Sequence, residues 1–174
     1  MITVIAGTNN TNSHTKIIAQ LYFNELKKLT PDVMFLSLSD MDGLTLHDCM
    51  YESTHPLIKQ IQEKYFGPSD KFLFVVPEYN GSFPGILKLL IDAMEVKKYV
   101  YGKKAGIVGV ATGRAGNLRG IDHLSSILHH MNVNVLPRIL PMSSIKNELN
   151  ESGQLLNSRT AEVFKKHVEE FLKF

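Results

Sequence analysis

Short, unbroken apolar runs alternate along this chain with longer segments of helical periodicity, and this alternation limits the possible folds more than any other feature. Ile2-Thr3-Val4-Ile5-Ala6 is rich in β-branched residues and stops at Gly7, as a buried strand entering a turn does. From Thr15 to Leu29, apolar residues at Ile17, Ile18, Leu21, Tyr22 and Leu26 recur at helical spacing, and Thr30-Pro31-Asp32 ends the pattern. Val33 to Leu36 reads as a second strand, Ser39 to Ser53 as a surface loop, and Pro56 to Tyr65 as a second helix broken by Gly67-Pro68. Lys71 to Val76 is the third strand. A long helix is expected from Pro84 to about Lys97, with Ser82 as its cap. Lys104 to Ala111 and Val133 to Leu136 supply the last two strands, with helices over Leu118 to Met131 and Ser158 to Leu172.

Strands in strict alternation with helices form a parallel sheet covered on both faces. Five strands in one unit favour a three-layer sandwich in the flavodoxin-like order 2-1-3-4-5, and no linker or repeat divides residues 1–174, so one domain is expected. In that order the winding reverses between the first and third strands, and a ligand is expected at their C-terminal ends.

The loops at that point differ from ordinary connectors. Gly7-Thr8-Asn9-Asn10-Thr11-Asn12-Ser13-His14-Thr15 is dense in hydroxyls and amides, has no lysine, arginine or carboxylate, and leads into a helix. A helix N-terminus offers free N–H groups and a favourable dipole to a phosphate. The same residues also cap helices anywhere, so this loop alone leaves both readings open. It lacks the Gly-Lys-Ser/Thr of a Walker A loop. After the third strand comes Pro77-Glu78-Tyr79-Asn80-Gly81-Ser82-Phe83-Pro84-Gly85, whose prolines and glycines impose an unusual backbone path. It reads as a rigid polar rim for the edge of a flat heterocycle, or, residue by residue, as a half-buried tyrosine and a solvated glutamate. Thr112-Gly113-Arg114-Ala115-Gly116-Asn117 follows the fourth strand, and its glycines permit close approach of backbone to a ligand. Arg114 is either a solvated loop charge or a partner for an anion.

Composition narrows the partners. A net charge of +2 gives no reason to expect nucleic acid or a membrane surface, while mildly favouring an anionic ligand. No stretch approaches the roughly 20 apolar residues of a membrane span, and Met1 to Ala6 lacks the charged start and length of a signal peptide. The one cysteine, Cys49, cannot form an internal disulfide and reads as an inert thiol in a reducing cytoplasm. His129-His130 cannot converge on a metal, since neighbouring helical side chains point about 100° apart; no metal site is expected.

Together the three loops resemble the NADPH-dependent FMN reductase family of flavodoxin-like proteins, which includes quinone, azo-dye and chromate reductases. The most specific match is Pro77-Glu78-Tyr79-Asn80-Gly81-Ser82, followed by Pro84, Leu87, Lys88 and Ile91-Asp92. Gly7, Thr8, Ser13 and Thr15 match the family's phosphate loop, Gly-Ser-x-Arg-x-x-Ser-x-Asn/Thr. The resemblance implies FMN as cofactor and NADPH or NADH as donor. It puts Thr8, Ser13 and Thr15 at the phosphate, with Asn10 and His14 beside them. Pro77, Glu78, Tyr79, Asn80 and Gly81 would line the ribityl chain and isoalloxazine, with Thr112, Gly113 and Arg114 flanking the ring. It also implies a homodimer or homotetramer joined through the helix after Pro84.

Three positions depart from the family pattern. Asn10 replaces the usual arginine, Leu89 and Ala93 replace an asparagine and an aromatic residue, and Asn117 replaces a common second glycine. Loss of the arginine predicts FMN held more weakly by about 1–2 kcal/mol.

In such a protein hydride passes from the nicotinamide to the flavin, and a small acceptor (a quinone, azo compound, free flavin or metal oxyanion) then takes the electrons at the same face. No side chain is expected as catalytic acid, base or nucleophile. Lys97, Lys98, Lys103 and Lys104 either complement a helix C-terminus or attract the 2′-phosphate of NADPH. The rival functions are a flavodoxin-type electron carrier and a non-redox module that no longer holds FMN tightly. The slightly basic charge and the lack of Trp favour the enzyme over the carrier.

Overall fold

The computed structural model describes every residue except Asp42, Gly43, Cys49 and Glu52. The reading of Cys49, and part of the expected Ser39 to Ser53 loop, therefore lie outside the described residues. Strands β1 (Ile2–Ala6), β2 (Val33–Ser37), β3 (Lys71–Pro77), β4 (Lys104–Val110) and β5 (Asn134–Val135) form one sheet in the order β2-β1-β3-β4-β5, and every pair is parallel. This is the expected flavodoxin-like order.

Two hydrophobic layers follow from the period-two alternation of the strands. Ile5, Phe72, Phe74, Val76 and Ile107 pack on one face with α2 (Pro56–Ile61), α3 (Gly85–Ala93) and α5 (Leu118–His130). Val4, Ala6, Leu73, Val75 and Val108 face α1 (His14–Leu29) and α6 (Ser158–Lys173) on the other. Such fully buried side chains contribute about 1.5–3 kcal/mol each through removal from water.

One polar link crosses the second layer. The Tyr22 hydroxyl on α1 lies 2.9 Å from Nδ1 of His167 on α6, and Nε2 of His167 lies 3.2 Å from the Arg138 carbonyl. A carbonyl can only accept, so Nε2 carries the proton and Tyr22 donates to Nδ1. Burial pushes the His167 pKa down and that of Tyr22 up.

Three expectations need correction. The helix after Pro84 does not run on to Lys97. It ends at Ala93, and a short α4 (Val96–Tyr99) follows a break at Met94 and Glu95. Tertiary contacts hold that break: Ser53 N donates to the Ala93 carbonyl, and Glu95 N donates to Oε1 of Gln62 at 2.7 Å. Ser82 is not the helix cap, since Pro84 takes the capping position in an extended conformation and the Ser82 hydroxyl pairs with Nδ1 of His123. The last strand is shorter than expected. Its edge position is shared by β5, beside Lys104 and Ala105, and β6 (Leu140–Met142), beside Val108 to Val110.

Candidate functional site

The free N–H groups of a helix start and the reversal of sheet winding coincide where β1 and β3 end. A cavity of about 430 Å³ opens there, within the usual range for small-ligand pockets. It is lined by Asn10, Asn12, Ser13, His14 and Thr15 from the first loop, and by Pro77, Glu78, Tyr79, Asn80 and Gly81 from the second. Thr112 and Gly113 of the third loop complete the rim, and Val110, Ala111 and Ile145 form an apolar part of the wall.

Local chemistry explains the first loop. Ser13 caps α1, its hydroxyl accepting from Lys16 N at 3.2 Å while its own proton stays available to a ligand. The first turn of α1 contains no acidic residue, so nothing there opposes an anion at the helix dipole. Asn10 folds the loop back, its Oδ1 accepting from Asn12 N at 3.1 Å.

The second loop is a miniature hairpin. Tyr79 and Ser82 exchange both backbone hydrogen bonds, at 2.8 and 3.1 Å, around Asn80 and Gly81. Both central residues have positive φ, 51° and 78°, as a type I′ turn requires and as Asn-Gly adopts at least cost. Glu78 N donates to the Val110 carbonyl at 3.1 Å, extending the β3–β4 ladder to the cavity mouth.

The third loop is seated on β6 and the turn behind it. Ala111 N donates to the Met142 carbonyl, Ser144 N to the Gly113 carbonyl and Ile145 N to the Ala111 carbonyl. These bonds bring Ile145 to the cavity, a residue that sequence reasoning missed along with Asn12, Val110 and Ala111.

Two expected contacts lie outside the cavity lining. Thr8 is buried at 1% exposure, its hydroxyl 3.0 Å from that of Tyr79 and accepting from Asn10 N at 3.2 Å. It therefore ties the first loop to the second. Arg114 is exposed and does not line the cavity.

Of the lysines considered for the 2′-phosphate, Lys97 and Lys98 belong to α4, and none of the four lines the cavity. Lys103 and Lys104 flank the N-terminal end of β4, at the opposite end of the parallel sheet, and donate to the carbonyls of Phe66 and Phe174. His129 and His130 are exposed on α5.

The donor set fits FMN. A phosphate matches the Ser13 and Thr15 hydroxyls and the first-turn amides. A flat ring edge matches the fixed turn at Asn80-Gly81 and the open side of Gly113, where an added Cβ would meet no atom within 4 Å.

A doubly wound parallel sheet with a donor-rich cavity at its switch point defines a flavodoxin-like fold with a candidate nucleotide site. Residues 1–148 match the model of the NADPH-dependent FMN reductases, and the chain belongs to that family of oxidoreductases, which work with FMN and NAD(P)H. An NAD(P)H-dependent FMN reductase of Pseudomonas aeruginosa is 29% identical over 171 residues, covering 95% of this chain and 89% of that protein. A 2-hydroxy-1,4-benzoquinone reductase of Burkholderia is 26% identical over 177 residues, covering 98% and 91%. Among solved structures, the flavoenzyme NAD(P)H:(acceptor) oxidoreductase FerB of Paracoccus denitrificans superposes with a TM-score of 0.78 at 21% identity, covering 99% and 94%.

Proposed function

We propose that this chain holds FMN in the cavity between its β1 and β3 loops and reduces a small acceptor, such as a quinone or azo compound, at the expense of NADPH or NADH. The observation that carries this reading is the cavity itself, where uncharged phosphate donors at the start of α1 face the rigid Tyr79–Ser82 turn. Bound there, FMN would supply the chemistry by accepting a hydride from the nicotinamide and passing the electron pair to the acceptor.

The residues bind and orient. Ser13, Thr15 and the amides of His14 and Thr15 would hold the phosphate, and Asn10 would add an uncharged contact. The Pro77–Gly81 backbone and Thr112-Gly113 would flank the ring, while Thr8 holds Tyr79 in place. Arg114, exposed beside Gly113, is available to an anionic ligand. The Burkholderia relative named for 2-hydroxy-1,4-benzoquinone reduction supports a small planar acceptor.

Homo-oligomerisation is part of the proposal. A groove of about 620 Å³ between α3, α4 and α5, with Ile91, Val96, Ile127 and Met131 along it, would receive a second copy of the chain. Light scattering on the purified protein distinguishes a dimer or tetramer from a monomer.

The functional test starts from flavin-free protein. Titration with FMN is expected to quench flavin fluorescence. Anaerobic NADPH is then expected to bleach the bound flavin, and a quinone to restore its colour. Failure to take up FMN overturns the proposal.

A further inference from the structure

Asn117 joins the third loop to α5, fully buried and with φ 66°. Glycine adopts that left-handed backbone freely and asparagine tolerates it, so the departure from the family's second glycine preserves the turn. The asparagine adds a side chain that acts in two directions. Its Oδ1 accepts from Gly120 N at 3.1 Å and caps α5, while its Nδ2 donates to the Val76 carbonyl at 3.0 Å. Val76 directly precedes Pro77, so this bond fastens the end of one cavity loop to the start of another.

The surroundings leave the amide one position. A Cβ at Gly120 would lie 2.2 Å from the Asn117 Oδ1, and one at Gly109 only 2.3 Å from the Gly116 carbonyl oxygen. The same helix touches the second loop again further on. The Arg119 Nη1 lies 3.7 Å from where a Cβ of Gly81 would stand, and His123 Nδ1 is 3.0 Å from the Ser82 hydroxyl.

We infer that Asn117 is a positioning residue of the flavin site, setting the separation between the Pro77–Gly81 turn and the Thr112–Arg114 loop that would flank the ring. The inference rests on the FMN reading above. Helix capping accounts for the Oδ1 bond alone. The Nδ2 bond to the third strand is what couples the loops.

Two substitutions separate the roles. Asn117→Gly keeps the left-handed backbone and removes both bonds; Asn117→Asp keeps the capping acceptor and replaces the donor with a carboxylate oxygen that the Val76 carbonyl repels. Both variants are compared with the parent protein in three measurements: amide hydrogen exchange of residues 77–82 without flavin, FMN affinity, and the midpoint potential of the bound flavin. Faster exchange at 77–82, FMN binding weakened about tenfold and a shifted potential are expected in both. If Asn117→Asp restores parent values, or if melting temperature falls while exchange, affinity and potential stay unchanged, the residue is only a cap and the inference is overturned. Should Asn117→Gly fail to fold, Gly120→Ala displaces the same amide by contact and carries the same expectations. If the parent protein takes up no FMN, the proposed function falls, while exchange at 77–82 still decides whether Asn117 anchors the second loop.

Discussion

The hydroxyl of Tyr79 meets that of Thr8 at 3.0 Å, spanning the crevice between the loops that follow β3 and β1. Thr8 also accepts from Asn10 N, so one buried hydroxyl links the loop after β1 to the turn after β3. Thr8→Val keeps the shape and loses both bonds. It is expected to weaken FMN binding about 5–10-fold, whereas Tyr79→Phe, which loses only the cross-loop bond, should cost less. Fluorescence titration of the two variants checks that order.

Asn10 offers no charge to a phosphate. Asn10→Arg is expected to tighten FMN binding by about 1–2 kcal/mol through a charge-assisted hydrogen bond. Unchanged or weaker binding in a titration at fixed ionic strength would remove residue 10 from the phosphate site.

His167 predicts an acid-side loss of stability. Burial lowers its folded pKa below the ordinary value, so the unfolded chain binds the proton more readily. Its contribution is complete above about pH 6.5 and declines as pH falls towards the folded pKa. Protonated Nδ1 could no longer accept from Tyr22. Arg138 and Glu170, which pair beside the ring, act in opposite directions, Glu170 favouring the charged form. Melting temperatures from neutral to mildly acidic pH should show a fall that flattens in His167→Leu. That variant starts about 1–3 kcal/mol less stable because Tyr22 and the Arg138 carbonyl lose their partner.

Two glycines of the β4 region should respond in opposite ways. Gly109→Ala would force a Cβ to 2.3 Å from the Gly116 oxygen and 2.6 Å from Ile121, displacing the third loop, with a loss of about 3 kcal/mol or more. Gly113→Ala meets no protein atom within 4 Å and should leave stability unchanged to within about 0.5 kcal/mol. A drop in FMN affinity in that stable variant would report the ring passing close to Gly113. Thermal denaturation and flavin titration of both variants separate the two effects.

The first four strands and α1 were legible because β-branched runs and a 3.6-residue period are local signals. The cavity loops were legible because hydroxyls, amides, prolines and glycines gathered at the predicted switch point. What escaped depended on distant partners. No residue between Ala93 and Val96 stops a helix by itself, and the stop comes from Ser53 and Gln62. Ile145 reaches the cavity only because the three-residue β6, carrying Pro141, pairs with β4, and so short a strand shows no pattern. The tie between Thr8 and Tyr79 could not be foreseen, because the two residues stand 71 apart in the chain. One local signal went unread: the Asn80-Gly81 dipeptide is a strong mark of a type I′ turn, and it accounts for the hairpin found there.

The divided outer strand also governs how the molecule meets other extended chains. Met142 turns its carbonyl inward to Ala111 N, so the preceding Pro141 directs its ring nitrogen, which bears no hydrogen, outward. Pro137 interrupts the stretch between β5 and β6. A foreign strand laid along this margin would find a discontinuous row of donors, so this side of the sheet resists templated stacking into fibres.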